Sequence, residues 1–341
     1  MIFKNKKILF LSARFFHYEN AITQQLEKLG AQVDYFDERP SNSVWTKGII
    51  RVNSKMYQKR INSYYQLILK QIQNKKYDYF LLIKGETVPF FFLEKFKKEF
   101  PQTQMIFYAY DAMSEYPRML KLLPFFDRKI TFEPSDAIKY KLEFRPLFYL
   151  NSYKKSEVQK EKKYDITFIG SAHTDRYQLG ETIRELAEKM NLKTHFFYYS
   201  PSKIAYYLKR LFDADFKKVK LKKLSFTQLN HQEIQKIYNQ SFSVLDINKP
   251  FQNGLTMRTF ETLAAGKKLI TTNPDIRNYP FYNPQNILYI NREKIELSFD
   301  FFQSDFQELT SHDLEKMSLK SWLMEVFFEN DSTYWSIVLD F

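Results

Sequence analysis

Residues 254–273 read GLTMRTFETLAAGKKLITTN: a glycine, a short helix, a second glycine and a β-strand. Met257, Phe260, Leu263 and Ala264 recur at helical spacing and make an apolar stripe, while Arg258 and Glu261 stand three apart on a neighbouring face. Gly254 ahead of the helix lets backbone approach a ligand closely, and the first-turn N–H groups, Thr256 among them, favour a phosphate. Gly266 predicts a left-handed C-terminal stop, and the LIT that follows is apolar and β-rich. A guanidinium matches a diphosphate with its fork, and a carboxylate one turn on can accept both hydroxyls of a ribose. On spacing alone the pair fits two roles equally: half of a sugar-nucleotide site, or an intrahelical ion pair worth about 0.3 kcal/mol.

Working outward, the strand SFSVLDI (241–247) leads into this motif, and strands alternate with helices back to Tyr164. YDITFIGS (164–171) and KTHFFYY (193–199) read as strands; 174–190, 202–212 and 231–240 read as helices; the lysine-rich 217–226 reads as extended. The first half repeats the alternation. KKILFLSA (6–13), AQVDYFDE (31–38), YDYFLLIKG (77–85), TQMIFYAYD (103–111), RKITFEP (128–134) and RPLFYL (145–150) read as strands. Helices are expected over 19–30, broadly over 44–74, and after Pro89, with shorter ones later. Apolar strands interleaved with helices predict parallel sheets covered on both faces, hence two Rossmann-like α/β domains. The boundaries that follow are 1–150, a polar linker at 151–163 with five lysines, 164–310, and a C-terminal segment 311–341 carrying a last helix around 314–328.

Composition narrows the function classes. A chain of 341 residues, 44% hydrophobic and 18% aromatic, can bury two cores. Cysteine is absent, which excludes disulfides and thiolate metal sites. None of the 7 glycines sits in a GxGxxG or Walker loop, which argues against NAD enzymes and P-loop NTPases. A formal charge of +13 points to an anionic partner: nucleic acid, anionic lipid or nucleotide diphosphate. The apolar run at the N-terminus ends at Ser12 and Arg14 without a small-residue cleavage pattern, so it reads as a first strand rather than a signal peptide. No apolar run reaches the roughly 18 residues of a membrane span.

Ligands of open α/β sheets bind beyond the carboxyl ends of strands. That rule selects Lys84, Gly85 and Glu86, then Asp111 and Glu133, in the first domain, with Ser135 and Asp136 read as helix caps. In the second it selects Gly170 and Ser171 with His173 and Arg176 behind them, then Asp246, Asn248 and the Gly254 segment. The remaining histidines, His17, His195, His231 and His312, have no ligand spacing, so no metal site and no cofactor are expected.

The run GLTMRTFETLAAGKKLITTN resembles the C-terminal donor-binding segment of GT-B glycosyltransferases, in particular the bacterial capsule and lipopolysaccharide transferases related to the CgeB-like group. YAYDAMSEYP (108–117), KITFEPSDAIKYKLEFRPLFY (129–149) and YDITFIGSAHTDRY (164–177) are similar to the same group. Many GT-B enzymes carry E-x7-E at the opening motif; Glu261 takes the second, ribose-binding position, and Asn253 stands where the first glutamate would be. The resemblance implies a GT-B fold whose two domains face each other across a cleft. It also implies a hexosyl- or deoxyhexosyltransferase that moves a sugar from a nucleotide-sugar donor to a glycan or lipid-linked acceptor of a surface polysaccharide. Gly170, Ser171, His173, Arg176, Gly254, Thr256, Arg258 and Glu261 would bind donor. Arginines and helix N-terminal amides can stabilise the leaving diphosphate without a metal, and an inverting reaction needs a base, for which Asp111 is the first candidate and Glu86 the second. Asp213-Ala214-Asp215 matches the DxD of GT-A enzymes, yet two α/β halves fit that fold poorly.

From Lys203 to Lys223, Ile204, Tyr207, Leu208, Leu211 and Phe212 form an apolar face ringed by lysines and Arg210. Such a segment can lie on an anionic membrane surface or pack on the core with a solvated basic face. The expected setting is cytoplasmic, with peripheral attachment to the inner face of the cell membrane through 203–223. Two rivals share the charge and the fold: a nucleic-acid-binding protein, which is not expected, and a non-catalytic nucleotide-binding scaffold.

Overall fold

The computed structural model describes residues 1–40, 54–155, 161–172, 175–212, 216–328 and 333–339. They divide into two compact α/β units. The first is built from Met1–Pro146 with the helix Leu319–Phe327, the second from Leu147–Ser318 with residues 333–339.

In the first unit β1 (Lys7–Ser12), β2 (Gln32–Asp37), β3 (Tyr79–Ile83), β4 (Gln104–Ala109), β5 (Arg128–Thr131) and β6 (Glu143–Phe144) form one sheet in the order β2-β1-β3-β4-β5-β6. Every neighbouring pair is parallel. The central strands are apolar through their middles because helices cover both faces; Leu9, Phe10, Phe80, Leu82, Ile106 and Phe107 are wholly buried. Helix Phe90–Glu99 begins directly after Pro89, whose missing N–H costs nothing there, and buries Phe92, Leu93 and Phe96. Phe96 packs on Phe80 of β3 with ring centroids 4.8 Å apart. The helix Leu319–Phe327 sets Trp322 edge-on against Tyr108 of β4 at 4.8 Å and Phe327 against Phe3 at 5.1 Å. A buried ion pair, Arg145 Nε to Glu325 Oε2 at 2.6 Å, and a bond from Arg128 Nη1 to the Val326 carbonyl at 2.8 Å tie its C-terminal end to the same unit. Cationic side chains suit that end, where carbonyls lack helical partners.

The second unit repeats the plan with β7 (Tyr164–Ser171), β8 (Thr194–Tyr199), β9 (Leu224–Ser225), β10 (Ser241–Asp246), β11 (Lys268–Thr271) and β12 (Ile287–Tyr289). The order is β12-β11-β10-β7-β8-β9, again parallel throughout. Counted within the unit, this is the strand order of dinucleotide-binding sheets. Growth of the sheet reverses between β7 and β10, and in the first unit between β1 and β3. Those two switch points are where such sheets open a crevice for ligand. No helix among the described residues is long and apolar enough to cross a membrane.

Several local expectations are corrected. RPLFYL is not a strand: Pro146 has no N–H to donate, Arg145 turns to Glu325, and the sheet ends instead with Glu143–Phe144. The extended reading of 217–226 holds only at Leu224–Ser225, the edge strand β9; before it the lysine-rich run forms 3-10 turns at Phe216–Lys218 and Leu221–Lys223, since successive lysines offer no alternating apolar face. The last helix is two, Ser311–Lys316 and Leu319–Phe327, parted where Ser318 bridges Tyr149. Ser135 and Asp136 do not cap: Glu133 holds the N-cap position of helix Pro134–Tyr140, and Asp136 Oδ2 accepts the Met113 N–H at 2.7 Å. Of the linker-like stretch, 156–160 lies outside the described residues, while buried Tyr153 bonds His231 Nδ1 at 2.8 Å and the Lys155 N–H donates to the Ala264 carbonyl at 2.8 Å. The helical region placed at 44–74 is described from Ser54 to Ile72.

Candidate functional site

At the switch point of the second sheet, the last residue of β10, Asp246, is almost wholly buried. An isolated buried carboxylate is costly, and this one is satisfied by three donors from the helix Met257–Ala264 and its N-cap. Thr256 Oγ and Thr259 Oγ donate to Oδ2 at 2.6 and 3.0 Å, and Arg258 Nη1 donates to Oδ1 at 2.6 Å. Thr256 is the N-cap residue but spends its hydroxyl on Asp246, not on the helix. The other arm of Arg258, Nη2, donates to the Ile169 carbonyl of β7 at 2.6 Å. One guanidinium thus bridges the two strands that diverge at the switch point. Burial acts against its charge, yet Asp246, joined by Tyr238 and Glu261, outweighs that and holds Arg258 above its ordinary pKa.

Two further arginines join it. Arg176, first residue of the helix Arg176–Lys189, donates through Nε to the Ile247 carbonyl at 2.7 Å. Burial and then repulsion from Arg258 pull its pKa down to about 10, with Arg292 adding to the repulsion. Arg292 donates to Asp175 Oδ2 at 2.5 Å and, through Nη2, to the carbonyl and Oδ1 of Asn248 at 2.5 and 2.6 Å. Asn248 Oδ1 also accepts the Thr272 hydroxyl at 2.8 Å. The cluster therefore holds three cations at the strand ends, one of them, Arg176, disfavoured first by burial and then by its neighbours. A bound anion would relieve that penalty.

Glycine is required at Gly170, where a Cβ would come within 2.7 Å of the Phe168 ring and 3.4 Å of Arg258 Nη2. Gly254 is buried and its carbonyl accepts Gln252 Nε2 at 2.8 Å. Ser171 closes β7, partly exposed. Glu261 is 4% exposed and lies within electrostatic reach of Arg258, Tyr153 and Tyr238. His173 lies outside the described residues, as does the Asp213-Ala214-Asp215 triplet.

The first unit presents a second constellation at the ends of β2, β3 and β4. Lys84 Nζ lies 2.9 Å from Asp111 Oδ2, 3.5 Å from Glu86 Oε2 and 4.4 Å from the centre of the Tyr116 ring. Glu86 Oε2 also accepts Arg39 Nη2 at 2.5 Å. Burial pushes the Glu86 carboxyl up, but Arg39 and Lys84 outweigh it and leave the pKa below its ordinary value. The backbone here is strained at Lys84, whose φ is 77°, while Gly85, at 73°, takes the same left-handed region freely. Arg118 braces the turn by donating to the carbonyls of Gly85, Glu86 and Val88 at 3.1, 3.2 and 2.5 Å.

Beneath the turn sits Glu38, 0% exposed. Its Oε2 accepts the Glu86 N–H at 3.1 Å, whereas Oε1 finds no hydrogen-bond partner among the described residues. Burial raises its pKa to about 7, against the pull of Arg39 and Lys84. Two carboxyls that share the same cationic neighbours thus part ways, Glu86 ionised and Glu38 poised near neutrality.

The strand-end rule found Lys84, Glu86, Asp111, Arg176, Asp246 and Asn248 but passed over Glu38, Arg39, Arg118 and Arg292. Applied equally to the ends of β2 and β12, it would have marked Glu38, Arg39 and Arg292; nothing in the sequence marks Arg118.

No protein-family model matches the chain, and no curated protein matches it. Solved structures do. A glycosyltransferase from Rickettsia africae ESF-5 superposes over 98% of this chain and 96% of its own, with TM-score 0.52 and 14% identity. HepE of Anabaena, solved in complex with UDP and glucose, matches over 94% of this chain and 95% of its own, with TM-score 0.55 and 9% identity. At such identities the likeness is one of fold: two Rossmann-like α/β domains with parallel sheets, the GT-B type.

Proposed function

We propose that the chain is a metal-independent glycosyltransferase that moves a sugar from a nucleotide-sugar donor to a glycan or lipid-linked acceptor in surface polysaccharide synthesis, in the cytoplasm. The observation that carries the reading is the convergence of Arg176, Arg258 and Arg292 on the switch point of a sheet in dinucleotide-binding order. Cations fixed in place by protein acceptors attract a diphosphate and stabilise charge as it develops on a leaving nucleotide without reorganising. Gly170, Ser171, His173, Gly254 and Thr256 are assigned to the same donor, with Glu261 taking its ribose hydroxyls. In an inverting displacement the acceptor oxygen bonds the anomeric carbon as the carbon–oxygen bond to the diphosphate breaks, and the hydroxyl proton passes to a base. Asp111 is that base in this proposal. Glu86, doubly paired with cations, is the weaker candidate.

Thermal unfolding with UDP-, GDP-, CMP- and TDP-sugars tests the donor. A true donor at about 100 times its Kd adds about 2.7 kcal/mol of stability, and turnover should follow with that donor. No shift with any of them removes the reading. A shift without turnover on any acceptor favours the alternative of a nucleotide-binding scaffold, which the pairing of Asp111 and Glu86 with Lys84 and Arg39 would equally suit.

A further inference from the structure

The helix Lys203–Phe212 has no acidic residue, and Tyr206 is its one buried side chain. Tyr206 anchors it: the hydroxyl donates to the Val219 carbonyl at 3.0 Å, and the ring meets that of Phe216 at 5.7 Å. The apolar residues point elsewhere. Ile204, Tyr207, Leu208 and Leu211, at the spacing of one helical face, and the adjoining Phe212 are 53% to 87% exposed. The alternative of a core-facing helix is thereby overturned, and a contiguous exposed apolar stripe of this kind needs a cover.

Its surroundings say which cover. Lys203, Lys209 and Arg210 lie on the same helix, and the 3-10 turns that Tyr206 holds beside it carry exposed Lys217, Lys218, Lys220 and Lys222. Residues 216–223 contain no carboxylate; Lys223, at their end, pairs with Glu181. Asp213 and Asp215 lie outside the described residues. We infer that this face docks on an anionic phospholipid bilayer, the apolar stripe entering the headgroup boundary and the lysines meeting lipid phosphates. A protein groove could take the stripe but has no need of the surrounding cationic field, whereas a bilayer surface uses both. The inference stands apart from the proposed reaction, since no residue of the switch-point cluster belongs to it.

The test is co-sedimentation of the full chain with vesicles of phosphatidylcholine alone and of phosphatidylcholine with about one third phosphatidylglycerol. Binding is expected on the anionic vesicles, at least about tenfold weaker on neutral ones and weakened by salt. Leu208→Glu with Leu211→Glu, and separately Lys217→Glu with Lys220→Glu, should each lower binding about tenfold; all four side chains are exposed, so the melting temperature should hold. Leu211→Trp supplies a reading independent of those variants: its fluorescence should shift to the blue on anionic vesicles. Absence of binding, binding indifferent to both double variants, or an unshifted Leu211→Trp spectrum overturns the inference. So does a lipid-free dimer that the Leu208 and Leu211 substitutions convert to monomer, which would make the stripe a protein interface.

Discussion

At Asp246 a single buried carboxylate explains why three residues of one short helix and its cap look as they do: Thr256, Arg258 and Thr259 are its donors. Arg258→Ala should lower stability by about 2 kcal/mol, since two hydroxyls remain on Asp246, and should abolish the thermal shift produced by a donor. Loss of stability with the shift retained would make Arg258 purely structural. Asp111→Asn keeps the shape beside Lys84 and removes the basic oxygen; binding of donor should persist in calorimetry while turnover falls below detection. Glu38 offers a pH test. Its folded pKa, near 7, exceeds the ordinary 4.5, so the folded state holds the proton more tightly than the unfolded one. The stabilisation is complete below pH 4.5 and is lost as pH rises through 7, in total about 3 kcal/mol. Glu38→Gln cannot titrate. Urea unfolding should therefore show the wild type losing stability relative to Glu38→Gln between about pH 5 and pH 8, by about that much; parallel profiles would mean Glu38 titrates normally.

At the scale of an element, the turn after β3 joins the two halves of the first constellation. Lys84 takes a left-handed conformation that its side chain makes unfavourable by about 1 kcal/mol, and the result is an ammonium set between Asp111 and Glu86. Gly85 must be glycine twice over, for its φ of 73° and because a Cβ would lie 2.8 Å from Leu122 Cδ1. Gly85→Ala should cost about 2 kcal/mol in chemical unfolding and displace the carboxylates, lowering turnover more than donor affinity. Equal stability of the variant would show that the turn relaxes freely. The helix Lys203–Phe212 makes the converse point: an amphipathic pattern guarantees two faces but not which one the fold covers.

For the molecule as a whole, each unit closes its own core, and the chain returns at Leu319 to complete the first. Trp322 is the largest wholly buried side chain of that returning helix, packed on Tyr108 of β4. Trp322→Ala should therefore destabilise by about 4 kcal/mol. Because the loss falls on the first unit, hydrogen exchange should quicken at β4 and β5 while β10 and β11 keep their protection; uniform quickening would mean the units unfold together.

Strand and helix alternation, the parallel sheets that follow from it, and the glycine, helix, glycine and strand of 254–271 were all legible in the sequence, because period and apolarity are local properties of the chain. The central strands read correctly. Among the strands, misreadings fell at the sheet edges, at 145–150 and over most of 217–226, where proline, arginine and lysine compete with weak β signals; the break in the last helix and the cap before Pro134 were misread as well. What the tertiary structure alone decided is pairing and burial. Arg258 could be read as a partner for a diphosphate or for its own helix, and only the juxtaposition of β7 with β10 gives its fork Asp246 and the Ile169 carbonyl. Arg292 reaches Asn248 from 44 residues away, and Glu38 meets Glu86 across 48, so no spacing rule records either contact. A side chain's pKa and exposure belong to the neighbours that folding brings to it, and those neighbours are set by the closure of sheets rather than by adjacent residues.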